Sequence, residues 1–209
     1  MSSISSGIAA WKQFFGRSSA SKPIARIDSG TFRDVMREVA APVTILAAGR
    51  PGYRNGLTAT SVCSVSDSPP TVLACVRRNA KAHDVIVNSG CFSINFLSAE
   101  QEDVAVQFSG ARGVCGEERF SVGDWSTGMT GAPILGDCVC TIECQLVGTQ
   151  LVATHTIILG ELVDGQKRES EQALLYRSGR YHSLPLLSAG RKSYEARNGS
   201  ENEMAVSLD

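Results

Sequence analysis

Residues 56–76 read Gly56-Leu-Thr-Ala-Thr-Ser-Val-Cys-Ser-Val-Ser-Asp-Ser-Pro-Pro-Thr-Val-Leu-Ala-Cys-Val76. Five hydroxyl side chains, Thr58, Thr60, Ser61, Ser64 and Ser66, fall within nine residues of a β-prone run that stops at Pro69-Pro70. A strand so built can line a polar cleft with small donors and leave little side chain in the way. A large, flat ligand with a phosphate tail needs such a surface, and a flavin is one. The competing reading is an exposed Ser/Thr-rich edge strand.

The rest of the chain bounds the answer. At 209 residues one domain is the default, and 43% hydrophobic with 20% charged residues fits a globular protein with a sizeable core. A net charge of −1 supplies no field to recruit nucleic acid or an anionic membrane. No apolar run approaches the ~20 residues of a membrane-spanning helix. The first 27 residues lack any acid and hold seven serines with Lys12, Arg17, Lys22 and Arg26. A secretory signal fails there, because Lys12 ends the short apolar stretch Ile8–Trp11. A transit peptide and a disordered tail both fit that composition.

Seven cysteines without a Cys-x-x-Cys pair point to reduced thiols in a reducing compartment. Cys138, Cys140 and Cys144 form the densest group and would alternate with Ile142 along one strand face. At roughly 3.3 Å per residue Cys138 and Cys144 stand about 20 Å apart. Ligand bonds near ~2.3 Å cannot bridge that distance. Core packing is therefore expected and a metal site is not.

Periodicity predicts a helix opening at Thr31, with Asp34 three residues on, and ending before Pro42. Strands are expected over 43–48, 57–65, 71–77, 91–97, 137–147 and 151–163, and short helices over 82–88 and 99–108. Residues 110–136 read as an irregular loop. Many strands and few helices argue for a β-barrel. The folded domain is expected over 29–187, with a disordered tail over 1–28 and a mobile one over 188–209. There is no Gly-x-Gly-x-x-Gly after a strand, no Gly-Lys-Ser/Thr loop, no Gly-x-Ser-x-Gly elbow and no His-x-x-x-His pair.

The block over 56–76 resembles that of the flavin reductase family, the small reductase components of two-component aromatic monooxygenases. Further blocks follow in order: Cys91–Leu97, Glu118-Arg-Phe120 with Trp125, Gly131–Leu135, Thr154–Leu162 and Leu175–His182. The resemblance covers about residues 31–187. It implies a mainly β fold with short helices, the FMN-binding split barrel, in a bacterial cytoplasmic homodimer. The N-terminal segment then reads as a bacterial tail.

The resemblance also implies site residues. Thr58, Ala59, Thr60, Ser61 and Val62 match the strand under the flavin, with Ser64 and Val65 beside the ribityl chain. Small side chains there let backbone N–H groups approach the ring edge, where negative charge develops on reduction. Cys75, Val76 and Arg77 match a second strand offering main-chain contacts. Ala80 and Lys81 match the loop that meets the flavin phosphate, where a lysine serves as a point charge. Phe108 falls near the ring. His155 lies in an apolar stretch at the nicotinamide site, where the family reads Gly-Asp-His and this chain reads Ala153-Thr-His155. Ser178, Gly179, Arg180 and Tyr181 match a segment closing over the dinucleotide. His83 and His182 have weaker claims.

The implied reaction is hydride transfer from NADH, or NADPH, to FMN or FAD, with reduced flavin passing to a flavin-dependent oxygenase. The chemistry belongs to the cofactors, so no catalytic side chain is expected. Two alternatives remain: an FMN-retaining reductase of another substrate, such as a cobalt corrinoid, and a non-catalytic flavin-binding module.

Overall fold

The structure, a computed structural model, describes residues 25–168 and 172–184. Most of both expected tails, residues 1–24 and 185–209, lies outside the described residues. The chain divides into two units, Met1–Glu38 and Val39–Asp209. In the first, helix α1 spans Ser29–Arg37. Its cap is Asp28, three residues before the expected start: the carboxylate accepts from Gly30 N at 2.7 Å and Thr31 N at 3.1 Å. Phe32, Val35 and Met36 of α1 are exposed.

Among the described residues the second unit holds twelve strands. They are β1 Ala41–Pro42, β2 Thr44–Ala48, β3 Asn55–Ala59, β4 Val62–Asp67, β5 Pro70–Arg77, β6 Cys91–Phe96, β7 Trp125–Thr127, β8 Pro133–Leu135, β9 Cys140–Val152, β10 His155–Lys167, β11 Leu174–Arg177 and β12 Arg180–Ser183. Helix α2 covers His83–Ser89 and α3 covers Glu102–Ser109. Seven strands form one sheet in the order β3-β2-β6-β9-β10-β5-β4; β1, β11 and β12 form a second, and β7 pairs with β8 in a third. The expected irregular loop over 110–136 therefore contains the β7–β8 hairpin and a 3-10 turn over Gly116–Ser121.

The β9–β10 hairpin organises the large sheet. Each of its strands has 13 residues, about 40 Å of extended chain. β6 pairs with the first half of β9, whereas β5 pairs with His155–Glu161 of β10. Because β3 and β4 are the two edges yet consecutive in the chain, the sheet must curl back on itself. No ladder among the described residues joins those edges, and an open seam of this kind defines a split barrel. Gly160 lets the curled layers meet: a Cβ there would stand 2.5 Å from the Phe92 ring and 2.7 Å from Cys144 Cβ.

Two clusters form the core. One gathers Leu46, Val76, Ile86, Phe92, Ile94, Cys144 and Ile158; the other gathers Ile45, Leu97, Phe108, Phe120, Leu135 and Cys138. Cys138 precedes β9 and joins the second cluster, so only Cys140 and Cys144 share the expected strand face. Burial pushes the Cys138 and Cys144 thiols up to about 12. Among the described residues no helix is long and apolar enough to cross a membrane.

Candidate functional site

The stretch expected as one strand over 57–65 is two strands broken at Thr60-Ser61. Ala59 pairs with Thr44 on β2, while Val62 pairs with Ala74 on β5, so the chain changes partners between them. Thr60 and Ser61 leave the ladder and are exposed. Cys75 N donates to Ser61 O at 3.0 Å and Ser61 Oγ donates to Cys75 O at 3.2 Å. These two bonds fix the break against β5.

The five hydroxyls divide accordingly. Thr58 Oγ1 turns inward and donates to Ala105 O on α3 at 2.6 Å. Ser66 Oγ accepts from Ser68 N at 3.0 Å and closes the β4–β5 turn. Thr60, Ser61 and Ser64 are left on the exposed side. Ala59 and Val76 are buried, so only their main chain can meet a ligand, and Val62 packs partly buried against the first core cluster. Val65, left out of the register between Ser64 and Ser66, is 51% exposed.

Beside this break stands an open cationic loop. Arg77, Arg78 and Lys81 are exposed, and none of them enters an ion pair among the described residues. Arg78 N donates to Thr154 O, and Ala80 N to Arg77 O, both at 3.0 Å. Asn55 Nδ2 donates to Lys81 O at 3.0 Å. The donor set suits a phosphate, and the cations are presented on backbone pinned from two sides.

His83 is the anchor that sequence reasoning undervalued. It is half-buried, with Nε2 2.9 Å from Thr156 Oγ1 and Nδ1 2.8 Å from Asp84 Oδ1. It ties the cationic loop to β10 one residue beyond His155. Nothing in its sequence context marks it, because Thr156 lies 73 residues away.

His155 is not inside a strand but at its first residue, after the two-residue turn Ala153-Thr154. It lies opposite Arg77 on one side and Val152 on the other. Thr154 Oγ1 stands 2.9 Å from His155 Nδ1, so a threonine orients the imidazole where the resemblance expects an acid. Ala153 holds φ +49°, a left-handed conformation that favours glycine.

Two further expected groups lie on other elements. Phe108, expected near the ring, is 1% exposed. Its ring meets Phe120 at 5.1 Å and Trp125 at 5.3 Å between centroids, and a Cβ on Gly56 would lie 2.9 Å from it. These contacts place it in the second core cluster. Arg119 of the Glu118–Phe120 block seals that core, donating to Gly56 O, Phe108 O and Val114 O. Ser178 and Gly179 form the β11–β12 turn, both with positive φ. With Arg180 and Tyr181 they belong to the three-stranded sheet, not to the sheet that carries His155. Tyr181 is half-buried against the second core cluster, and burial, then Tyr176, raises its phenol.

The arrangement is thus a gap in a β ladder with three cations at one end and an oriented histidine across β5. Comparison with known proteins gives the family. The FMN reductase (NADH) RutF of Pseudomonas syringae pv. syringae is 39% identical over 163 residues, 78% of this chain and 90% of that protein. The 4-hydroxyphenylacetate 3-monooxygenase reductase component of Pseudomonas aeruginosa is 38% identical over 73% of this chain and 90% of its own length. Among solved structures, BorF, the flavin reductase component of a bacterial two-component tryptophan halogenase, superposes with a TM-score of 0.70. It is 30% identical, and the match covers 76% of this chain and 99% of BorF. The family described as flavin reductase like domain matches residues 36–185, and the chain belongs to that family.

Proposed function

We propose that this chain is an NADH:flavin oxidoreductase that reduces FMN or FAD and supplies the reduced flavin to a separate oxygenase component. The observation that carries this reading is the Thr60-Ser61 break, which lies against Cys75 two residues from Arg77 and its partner His155. Flavin supplies hydride acceptance from reduced nicotinamide once bound. Thr60, Ser61 and Ser64 would border its ring and ribityl chain, with main-chain contacts from Ala59, Val62, Cys75 and Val76. Lys81, with Arg77 and the Ala80 backbone, would hold its phosphate. His155, fixed by Thr154, would hydrogen-bond the nicotinamide carboxamide; Ser178–Tyr181 would close over the dinucleotide. These groups bind and orient, and none has to accept or give a proton.

We further propose a homodimer. β5 and β10 are apolar on both faces: Val72, Ala74, Val76 and Ile158 are buried, while Leu73, Ile157 and Leu159 stand half-buried on the other face. Leu73 lies directly opposite Leu159, and Val163 is 47% exposed nearby. A second copy covering that face would bury it. All seven cysteines are free, which supports a cytoplasmic setting, and the folded domain is taken as 29–187.

The test is NADH oxidation by the desalted protein with FMN or FAD added in turn. Consumption that depends on added flavin supports the reading. A yellow protein that keeps its flavin through desalting and turns over without addition favours the flavin-retaining alternative. No consumption with either flavin refutes both.

A further inference from the structure

A chamber of about 250 Å3 lies between the β7–β8 hairpin and the end of the β9–β10 hairpin remote from its turn, and the proposed reaction does not use it. Four oxygen-bearing side chains line one wall. Thr141 lies directly opposite Gln166, and Glu143 directly opposite Asp164, so alternation along the two strands puts all four on one face. Ser126, Thr127 and Gly128 form the facing wall. The hairpin is held there by Ser93 Oγ, which donates to Pro133 O, and by Asn95 Oδ1, which accepts from Leu135 N at 2.9 Å.

Two features of this face have no counterpart in the protein around them. The first is a pair of like charges. Glu143 and Asp164 stand directly opposite one another, an arrangement that destabilises a ladder. Glu143 is 4% exposed and Asp164 is half-buried, and neither enters an ion pair among the described residues. Lys167 and Arg168 line the neighbouring hollow and not this chamber, and Arg168 pairs with Asp137 at 2.6 Å. The second feature is Thr141. It is 7% exposed, yet its hydroxyl has no hydrogen-bond partner among the described residues. No fully enclosed side-chain oxygen among them lacks a partner, so this hydroxyl opens into the chamber that Thr141 lines.

We propose that the chamber binds a hard divalent cation, calcium or magnesium. No group of three His, Cys, Asp or Glu gathers among the described residues to hold a metal; here a hydroxyl and an amide complete a two-carboxylate set, and oxygen donors are what such ions take. Among the described residues Glu143 Oε1 accepts only from Met129 N, at 3.0 Å, whereas Oε2 accepts from Thr130 N and Thr130 Oγ1 at 2.7 and 2.6 Å. Oε1 therefore keeps a lone pair for the ion. Asp164, the Thr141 hydroxyl and the Gln166 carbonyl oxygen supply the other protein ligands. Bonds of ~2.0–2.6 Å let one ion join oxygens up to about 5 Å apart, which is the ~4.5–5.5 Å scale of directly opposite side chains. Two carboxylates balance one divalent charge. Water fills the remaining positions, and the chamber has room for it at ~30 Å3 per molecule. The ion pins the β7–β8 turn to β10 and takes no part in hydride transfer.

The experiment takes the full chain, freed of metal by EDTA and dialysis, and titrates it with CaCl2 and with MgCl2 by calorimetry and thermal unfolding. The wild type is expected to bind one ion per chain and to gain about 3–6 °C in Tm at ten times Kd. The tighter of the two ions is the one the site prefers. Asp164→Asn removes one ligand charge, and Thr141→Val removes only the unpartnered hydroxyl. Binding weakened at least about threefold in Asp164→Asn supports the site. If that variant does not fold, the same weakening in Thr141→Val decides in its place. No binding of either ion up to about 10 mM, beyond the weakest class of calcium site, overturns the proposal. Binding that the deciding variant weakens by less than about threefold also overturns it, because the ion then sits elsewhere. Flavin-dependent NADH oxidation is no part of the readout, so this site and the flavin reductase reading fail separately.

Discussion

His155 stands directly opposite Arg77 in the β10–β5 ladder. That register brings the candidate nicotinamide residue beside the strand that borders the Thr60-Ser61 break. His155→Ala is therefore expected to raise KM for NADH about tenfold or more while changing flavin Kd less than about twofold, the loss of one oriented hydrogen bond. Thr154→Val, which frees the imidazole, should produce a smaller effect in the same direction. Initial-rate kinetics with each substrate varied separately decide this; equal effects on both substrates remove His155 from the nicotinamide site.

Lys81 is exposed, so its contact with a phosphate is screened by water. Lys81→Ala is expected to weaken flavin binding by about 1 kcal/mol, at the low end for a charge-assisted contact. Raising the salt concentration should shrink the difference. An unchanged Kd at low salt takes Lys81 out of the site.

Phe108 tests the distinction between core and site. Phe108→Ala opens a cavity among Phe120 and Trp125 and is expected to cost about 3–5 kcal/mol of stability. Denaturant unfolding measures that loss. Phe108→Leu, a milder change, should keep flavin affinity within about twofold. A selective loss of flavin binding in a stable Phe108→Leu protein would return this ring to the site.

Ala153 occupies a left-handed turn position at φ +49°. Ala153→Gly is expected to stabilise the protein by about 0.5–1 kcal/mol, since glycine pays no Cβ penalty there. Thermal unfolding of the two proteins reads the sign directly. A lower Tm for the variant contradicts the turn geometry.

The buried thiols make stability depend on alkaline pH. Cys138 and Cys144 have folded values of about 12 against an ordinary value of 9.0. Their contribution is complete below pH ~9 and is lost as pH rises toward about 12, because only the unfolded chain ionises readily there. Denaturant midpoints should fall across that window. Cys138→Ser or Cys144→Ala should flatten the fall; identical slopes in both variants and the wild type would contradict it.

The barrel was legible because alternation, proline stops and small-residue runs are local signals, and they placed β2, β5, β6 and α2 within a few residues. The break at Thr60-Ser61 was not legible. Leu57–Val65 is a continuous β-prone run, and only the change of partner from β2 to β5 interrupts it. Long-range pairing likewise hid the role of His83, whose partner Thr156 is far along the chain. The burial of Phe108 was not legible either: it depends on Phe120 and Trp125, which come from the segment expected to be irregular. The β11–β12 hairpin carried a Ser-Gly turn in plain sight, yet nothing local tells which sheet receives it.

Ser61 is exposed at the break and its side chain donates to the Cys75 main chain, so a bulky replacement can fill the gap without entering the core. The decisive measurement is FMN titration and FMN-dependent NADH oxidation by the wild type and Ser61→Trp, with circular dichroism to verify the fold. The expected result is saturable FMN binding and turnover in the wild type, both lost in a folded variant. FMN binding by Ser61→Trp with wild-type affinity would contradict the placement of the flavin at the Thr60-Ser61 break.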